Sequence, residues 1–227
     1  MRVSISTRLS AICALAATLA VSSNASAHYY AVFITAVTNG DADDGDFIDI
    51  QTDTLHSTCN TFTKNFVTHE MWYGMDPHMT NWVEVGFLDG ADPSAGCQTT
   101  VLFWADQRNG GGFHIHYPGN SWSFGDWYSL QISAAGSCAW NVFAGGAIVG
   151  TSTANCPSAG RALEAGIEST SQTTGSAKGY LTAWWEQNGS GNWQQAWDNA
   201  YIEWNGQPFI QWLNNFTETE EVLNESF

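Results

Sequence analysis

The 227-residue sequence predicts an all-β protein, an antiparallel two-sheet β-sandwich. Short runs rich in aromatic and β-branched residues recur along it. Clusters of Gly, Asn, Asp, Ser and Pro separate them. No stretch holds a sustained helical period, and two facing layers of sheet are the natural way to bury so many half-apolar strands.

In chain order the strand-like runs are "HYYAVFITAV", "FVTHEMWYGM", "NWVEVGF", "TTVLFWADQ", "GFHIHY", "WYSLQIS", "AWNVFAG", "AIVGTST", "ALEAGIES", "GYLTAWWEQ" and "NAYIEWN". The turns between them include "DGADPSAG", "RNGGG", "YPGNS" and "NGSGN". "WNGQPFIQWLNNF" carries a weak helical signal and is the one place where the sequence leaves room for a helix. "DADDGDFIDI" is dense in carboxylates. It lacks the bidentate Glu that closes an EF-hand loop, so a solvated acidic loop is expected there, not a calcium site. Asn188, Asn215 and Asn224 open triplets that a glycosylating host would modify.

The first 27 residues read as a secretory signal peptide. Arg2 and Arg8 precede the apolar "LSAICALAATLAV", and Ala25-Ser26-Ala27 ends the segment with small residues before His28. One β-sandwich domain over 28–216 and an acidic tail over 217–227, in part disordered, complete the expected organisation. The formal charge is −16, and loss of the two leader arginines makes it two units more negative. Nucleic acid and anionic membrane surfaces are poor partners for such a chain. Acid, which protonates carboxylates, or high salt, which screens them, suits it better. A secreted monomer is expected. Cys13 leaves with the leader, and Cys59, Cys97, Cys138 and Cys156 form an even set in an exported chain, so two disulfides are expected. Three pairings are possible. Cys59–Cys97 with Cys138–Cys156 is favoured, because the second pair brackets a hairpin-like stretch.

Three strands carry residues that suit chemistry. In "NWVEVGF", Val83, Val85 and Phe87 share one face, and Trp82, Glu84 and Gly86 share the other. A carboxylate in the middle of so apolar a strand marks either a solvated face or a substrate groove. In "GFHIHY", His114 and His116 share a face. With Glu84 they could complete a His₂Glu metal set, but two histidines hydrogen-bonding in a polar groove are the preferred reading, with no metal and no cofactor. In "ALEAGIES", Glu164 and Glu168 lie on one face, with Ala165 and Ile167 opposite.

The order "MWYGMD…NWVEVGF…GFHIHYPG…FGDWYSLQIS…AWNVF…ALEAGIES" resembles the motif order of eqolisin-type glutamic peptidases, with neprosin-type peptidases as relatives. "WYGMD" matches the family's Trp-x-Gly-hydrophobic-Asp strand at Trp72 to Asp76. "EVGF" puts Glu84 at the position of the family's catalytic Gln. "HYP" fits a Tyr-Pro strand end, "GD" is Gly125-Asp126, and "EAGIE" puts Glu164 at the catalytic Glu. The chain departs from the pattern at Ile115, where the family has a Glu, and at Ala165, where it has Trp or Phe. Neprosin-type peptidases use two glutamates, which accommodates a Glu84/Glu164 pair.

The resemblance implies a concanavalin-like jelly roll with a groove on one sheet and a polypeptide substrate. Glu164 would be the base. Glu84, when protonated, would donate to the oxyanion, which confines activity to acid. Trp82, Trp72, His114, His116 and Glu168 are the expected substrate-binding residues. The competing readings are a non-catalytic sandwich that binds polysaccharide, since 12 Trp offer faces for sugar rings, and a two-carboxylate glycoside hydrolase.

Overall fold

A computed structural model describes residues 29–37, 45–60, 64–76, 79–92, 96–108, 111–119, 121–136, 138–153, 156, 161–171, 175–196, 201–205, 209–214 and 218–223. The segment expected to be a signal peptide and the acidic positions 41–44 lie outside these residues. In chain order the strands are β1 (Tyr29–Val37), β2 (Gly45–Ser57), β3 (Phe66–Gly74), β4 (Trp82–Asp92), β5 (Gly96–Arg108), β6 (Gly112–His116), β7 (Trp127–Gly136) and β8 (Ala139–Ala144). They continue as β9 (Ala147–Ser152), β10 (Arg161–Ser169), β11 (Gly175–Gln187), β12 (Trp193–Gln195), β13 (Tyr201–Asn205), β14 (Phe209–Asn214) and β15 (Glu218–Leu223). They form two antiparallel sheets. The seven-stranded sheet has the order β13-β1-β10-β3-β4-β5-β6, and the eight-stranded sheet β14-β15-β11-β2-β7-β8-β9, with β12 pairing β11.

The pleat places the core. Val83, Val85 and Phe87 of β4 are no more than 1% exposed. They pack in one cluster with Ile48 and Ile50 of β2, Leu130 and Ile132 of β7, and Leu163, Ala165 and Ile167 of β10. Alternation therefore holds on β4 and β10 as the sequence implies: one face joins the core and the other turns outward.

Two sequence expectations change. The stretch with the weak helical signal forms strands β13 and β14, and no helix occurs among the described residues. Aromatic and β-branched residues dominate Phe209–Asn214, which pairs antiparallel with Glu218–Leu223; a pleated strand accommodates such side chains better than a helix does. β15 itself lies in the stretch marked as a tail, where its backbone bonds to β11 as well.

Both expected disulfides form. Cys59–Cys97, with Cα atoms 5.8 Å apart, ties the end of β2 to β5 and so links the two sheets. Cys138–Cys156, at 4.3 Å, closes the β8–β9 hairpin. Replacing Cys138 and Cys156 together by Ser is expected to lower unfolding free energy by about 3 kcal/mol through the freed unfolded chain. Urea melts of the variant check this: an unchanged midpoint contradicts it.

Candidate active site

The outward face of the seven-stranded sheet carries a groove of about 630 Å³. Its floor can be read from the register. Glu164 on β10 lies opposite Trp72 on β3, which lies opposite Glu84 on β4. Glu164, Trp72 and Glu84 thus form one row, with the two carboxylates about 10 Å apart at the backbone, two strand spacings. The next row runs Gly166, Glu70, Gly86, and the row beyond it Glu168, Thr68, Leu88. All four glutamates line the groove.

Apolar side chains flank them. Val32, Ile34 and Trp72 cluster with Met79 and Trp82 at one end. Leu88, Phe103 and Ala105 cluster with Phe66 and Ile115 at the other. Lys64 is the one cationic side chain among the described residues that line the groove.

This setting governs the carboxyls. Glu84 is 5% exposed, and its Oε2 accepts the Trp82 indole N–H at 2.7 Å. Desolvation pushes its pKa from the ordinary 4.5 up to about 8, with the Glu168 charge adding to the rise; hydrogen bonds from Trp82 and Trp72 pull it part of the way back. Glu70 is 1% exposed, and its pKa also stands well above the ordinary carboxyl range, first through burial and then through Glu84 and Glu168. Thr68 Oγ1–H donates to Glu70 Oε1, and Glu70 Oε2 meets no hydrogen-bond partner. Gly86 makes room for this side chain: a Cβ there would stand 2.2 Å from the Glu70 Cβ. Glu84 therefore keeps its proton at neutral pH, and burial shifts Glu70 toward its neutral form as well. A neutral carboxyl can donate a hydrogen bond to a carbonyl, and an ionised neighbour can accept a proton from water.

Of the residues expected at the site, Glu84, Glu164, Glu168, Trp72 and Trp82 share this groove. His114 and His116 do not. On β6 it is Phe113 and Ile115 that reach the groove, and the histidines turn to the opposite face. His116 stacks on Trp104 with centroids 4.0 Å apart. His114 Nδ1 lies 3.4 Å from Asp106 Oδ1. Asp106 is buried and takes both Arg108 N–H groups at 2.9 and 3.0 Å and the Ser152 hydroxyl at 2.6 Å. The expectation of a polar groove around the His pair fails because β5 offers Asp106 and Trp104 on that other face. Among the described residues, no three His, Cys, Asp or Glu side chains are grouped to hold a metal ion. Sequence reading passed over Glu70, yet the signal was present. Thr68, Glu70 and Trp72 alternate along "FVTHEMWYG", so Glu70 must share the face of Trp72.

The raised carboxyls set a sign for stability. Folded Glu84 keeps its proton between pH 4.5 and about 8, where the unfolded chain has lost it. The folded state then binds more protons, and stability falls as pH rises through that window. Glu84→Gln is expected to flatten this fall by an amount on the order of a few kcal/mol. Thermal melts from pH 4 to pH 9 would check it, and parallel curves for the two proteins would contradict it.

Solved structures share this arrangement of strands. Two crystal structures of scytalido-glutamic peptidase, one with a peptide-based transition state analog and one with a transition state analog inhibitor, match with a TM-score of 0.52 at 12% and 11% identity. Each match covers 86% of this chain and 96% or 97% of the other. SCP-B, a member of the Eqolisin family of peptidases in complex with the tripeptide Ala-Ile-His, matches with a TM-score of 0.49 at 13% identity, covering 86% and 96%. No protein-family model and no curated protein matches the sequence. At these identities the likeness is one of fold: the chain has an eqolisin-like β-sandwich.

Proposed function

We propose that the chain is a secreted peptidase that hydrolyses peptide bonds with Glu164 and Glu84 across Trp72. The observation that carries this reading is the shared row of the two carboxylates in an apolar groove, one of them held protonated by burial. A polypeptide laid in the groove would present its carbonyl between them. Glu164 would take a proton from water as the water attacks, then return it to the leaving amine. Glu84, neutral and fixed by two indoles, would donate to the oxyanion. The expected restriction to acid is relaxed. A donor with a pKa of about 8 stays protonated past neutrality, so the alkaline limb of the pH profile belongs near pH 8. Two disulfides and the leader-like N-terminus support export.

Cleavage of casein and of defined peptides across pH tests the proposal. Glu164→Gln is expected to lower kcat roughly 10²–10⁴-fold with unchanged thermal stability. Glu84→Gln is expected to keep activity in acid and move the alkaline limb above pH 8, because an amide N–H donates at every pH. Its acid limb should not move, since Glu84 is already neutral there. Two fully active single variants would overturn the dyad. Sugar release from polysaccharide without peptide cleavage would favour the glycoside hydrolase reading instead.

A further inference from the structure

The eight-stranded sheet also has an outward face, and a line of aromatic and aliphatic side chains crosses it. Trp185 on β11 lies opposite Phe47 on β2, and Phe47 opposite Gln131 on β7. Gln131 lies opposite Phe143 on β8, and Phe143 opposite Ile148 on β9. The row thus spans five adjacent strands, about 19 Å at the usual strand spacing. Phe47 and Phe143 stand two strands apart, about 10 Å, the scale of a disaccharide. Trp193 stands at the edge beside Phe47, with ring centroids 6.3 Å apart. Ile148 and Trp193 are 58% and 38% exposed, and Trp185, Phe47, Gln131 and Phe143 are half-buried.

The chain is bent to build this row. The β2–β11 register breaks between Thr182 and Trp185, and Ala183 there has φ 50°. A left-handed alanine costs about 1–2 kcal/mol. The bulge turns Trp184 into the core, fully buried and bonded to Asp46 Oδ1 at 2.8 Å, and leaves Trp185 outward in line with Phe47. In an unbulged strand, strict alternation from Thr182 would turn Trp184 outward and Trp185 inward.

The flanking rows are polar and nearly uncharged. Ser133 and Asn141 adjoin the row on one side, with Thr151 beyond them. Thr182, Asp49 and Ser129 adjoin it on the other. On β11, β2, β7, β8 and β9 Asp49 is the one charged residue of these three rows, and it accepts the Ser129 hydroxyl at 2.6 Å; beyond Thr182 its row continues to Glu218 on β15. In a chain of net charge −16 the five strands that carry the row are sparsely charged on this face. It has no cationic residue to meet a nucleic acid. Amides and hydroxyls on both sides of a line of rings instead suit a neutral polymer of hydroxyls.

We infer that this face, on the sheet opposite the groove, is a binding platform for a neutral, extended polysaccharide. The rings stack on successive sugar faces and the flanking rows hydrogen-bond the hydroxyls. The inference does not rest on the peptidase reading.

Co-sedimentation of the secreted protein with insoluble cellulose and chitin tests it, with anionic pectate for comparison. Retention on one of the two neutral polymers is expected, unchanged by raised salt because no ion pair is involved. Phe143→Ala and Ile148→Asp are each expected to weaken it about tenfold or more, the scale of one lost stacking contact. Thermal melts confirm that both variants stay folded, and Glu164→Gln should bind as well as the parent. Absence of retention on both neutral polymers, undiminished binding by both variants, or loss through Trp82→Ala in the groove would each overturn the inference.

Discussion

The register between β10, β3 and β4 is the constraint on which the rest depends. Each of these strands gives one face to the core and the other to the groove. A slip by one residue would bury Glu84, Glu70 and Glu164 between the sheets and push Val83, Met71 and Leu163 out. The core therefore fixes the carboxyls. Val83, Val85, Met71, Tyr73, Leu163 and Ala165 are fully buried and leave no alternative pairing of comparable burial. Chemistry on one face is positioned by packing on the other.

That position has an energetic consequence. Carboxyls on an apolar floor are poorly solvated, so the groove favours their neutral forms. Glu84 and Glu70 reinforce each other, since ionising one penalises the other. The indoles of Trp72 and Trp82 act in the opposite sense and orient Glu84 without neutralising it. A surface of strongly negative net charge compounds the effect, and the whole chain is better matched to acid than to alkali. Tension between burial and ionisation is tolerated because the two disulfides and the shared core carry the fold independently of the groove.

Much of this was legible in the sequence wherever period-two alternation spoke alone. "NWVEVGF" and "ALEAGIES" each separate a core face from a carboxylate face, and the structure keeps both separations. The even cysteine count and the hairpin between Cys138 and Cys156 anticipated the crosslinks. Alternation says which residues share a face but not which way that face points, and there the reading failed. His114 and His116 share a face, as expected, but it turns away from the groove toward Asp106 and Trp104. Glu70 was legible only through its alternation with Thr68 and Trp72; that Gly86 lies opposite it and leaves it room is visible only from the pairing of β3 with β4. The Ala183 bulge was illegible for another reason. "LTAWWEQ" alternates no pattern strongly, and only pairing with β2 decides which tryptophan turns inward.

Direct titration of Glu84 bears most closely on the central claim. With Glu carboxyl carbons labelled, the resonance missing from Glu84→Gln identifies Glu84, and its chemical shift can be followed from pH 3 to pH 10. The account predicts a midpoint near 8, displaced far from the ordinary 4.5 by burial. A midpoint between 4 and 5 would mean a solvated surface carboxylate, and the proposed pair would then lack its proton donor.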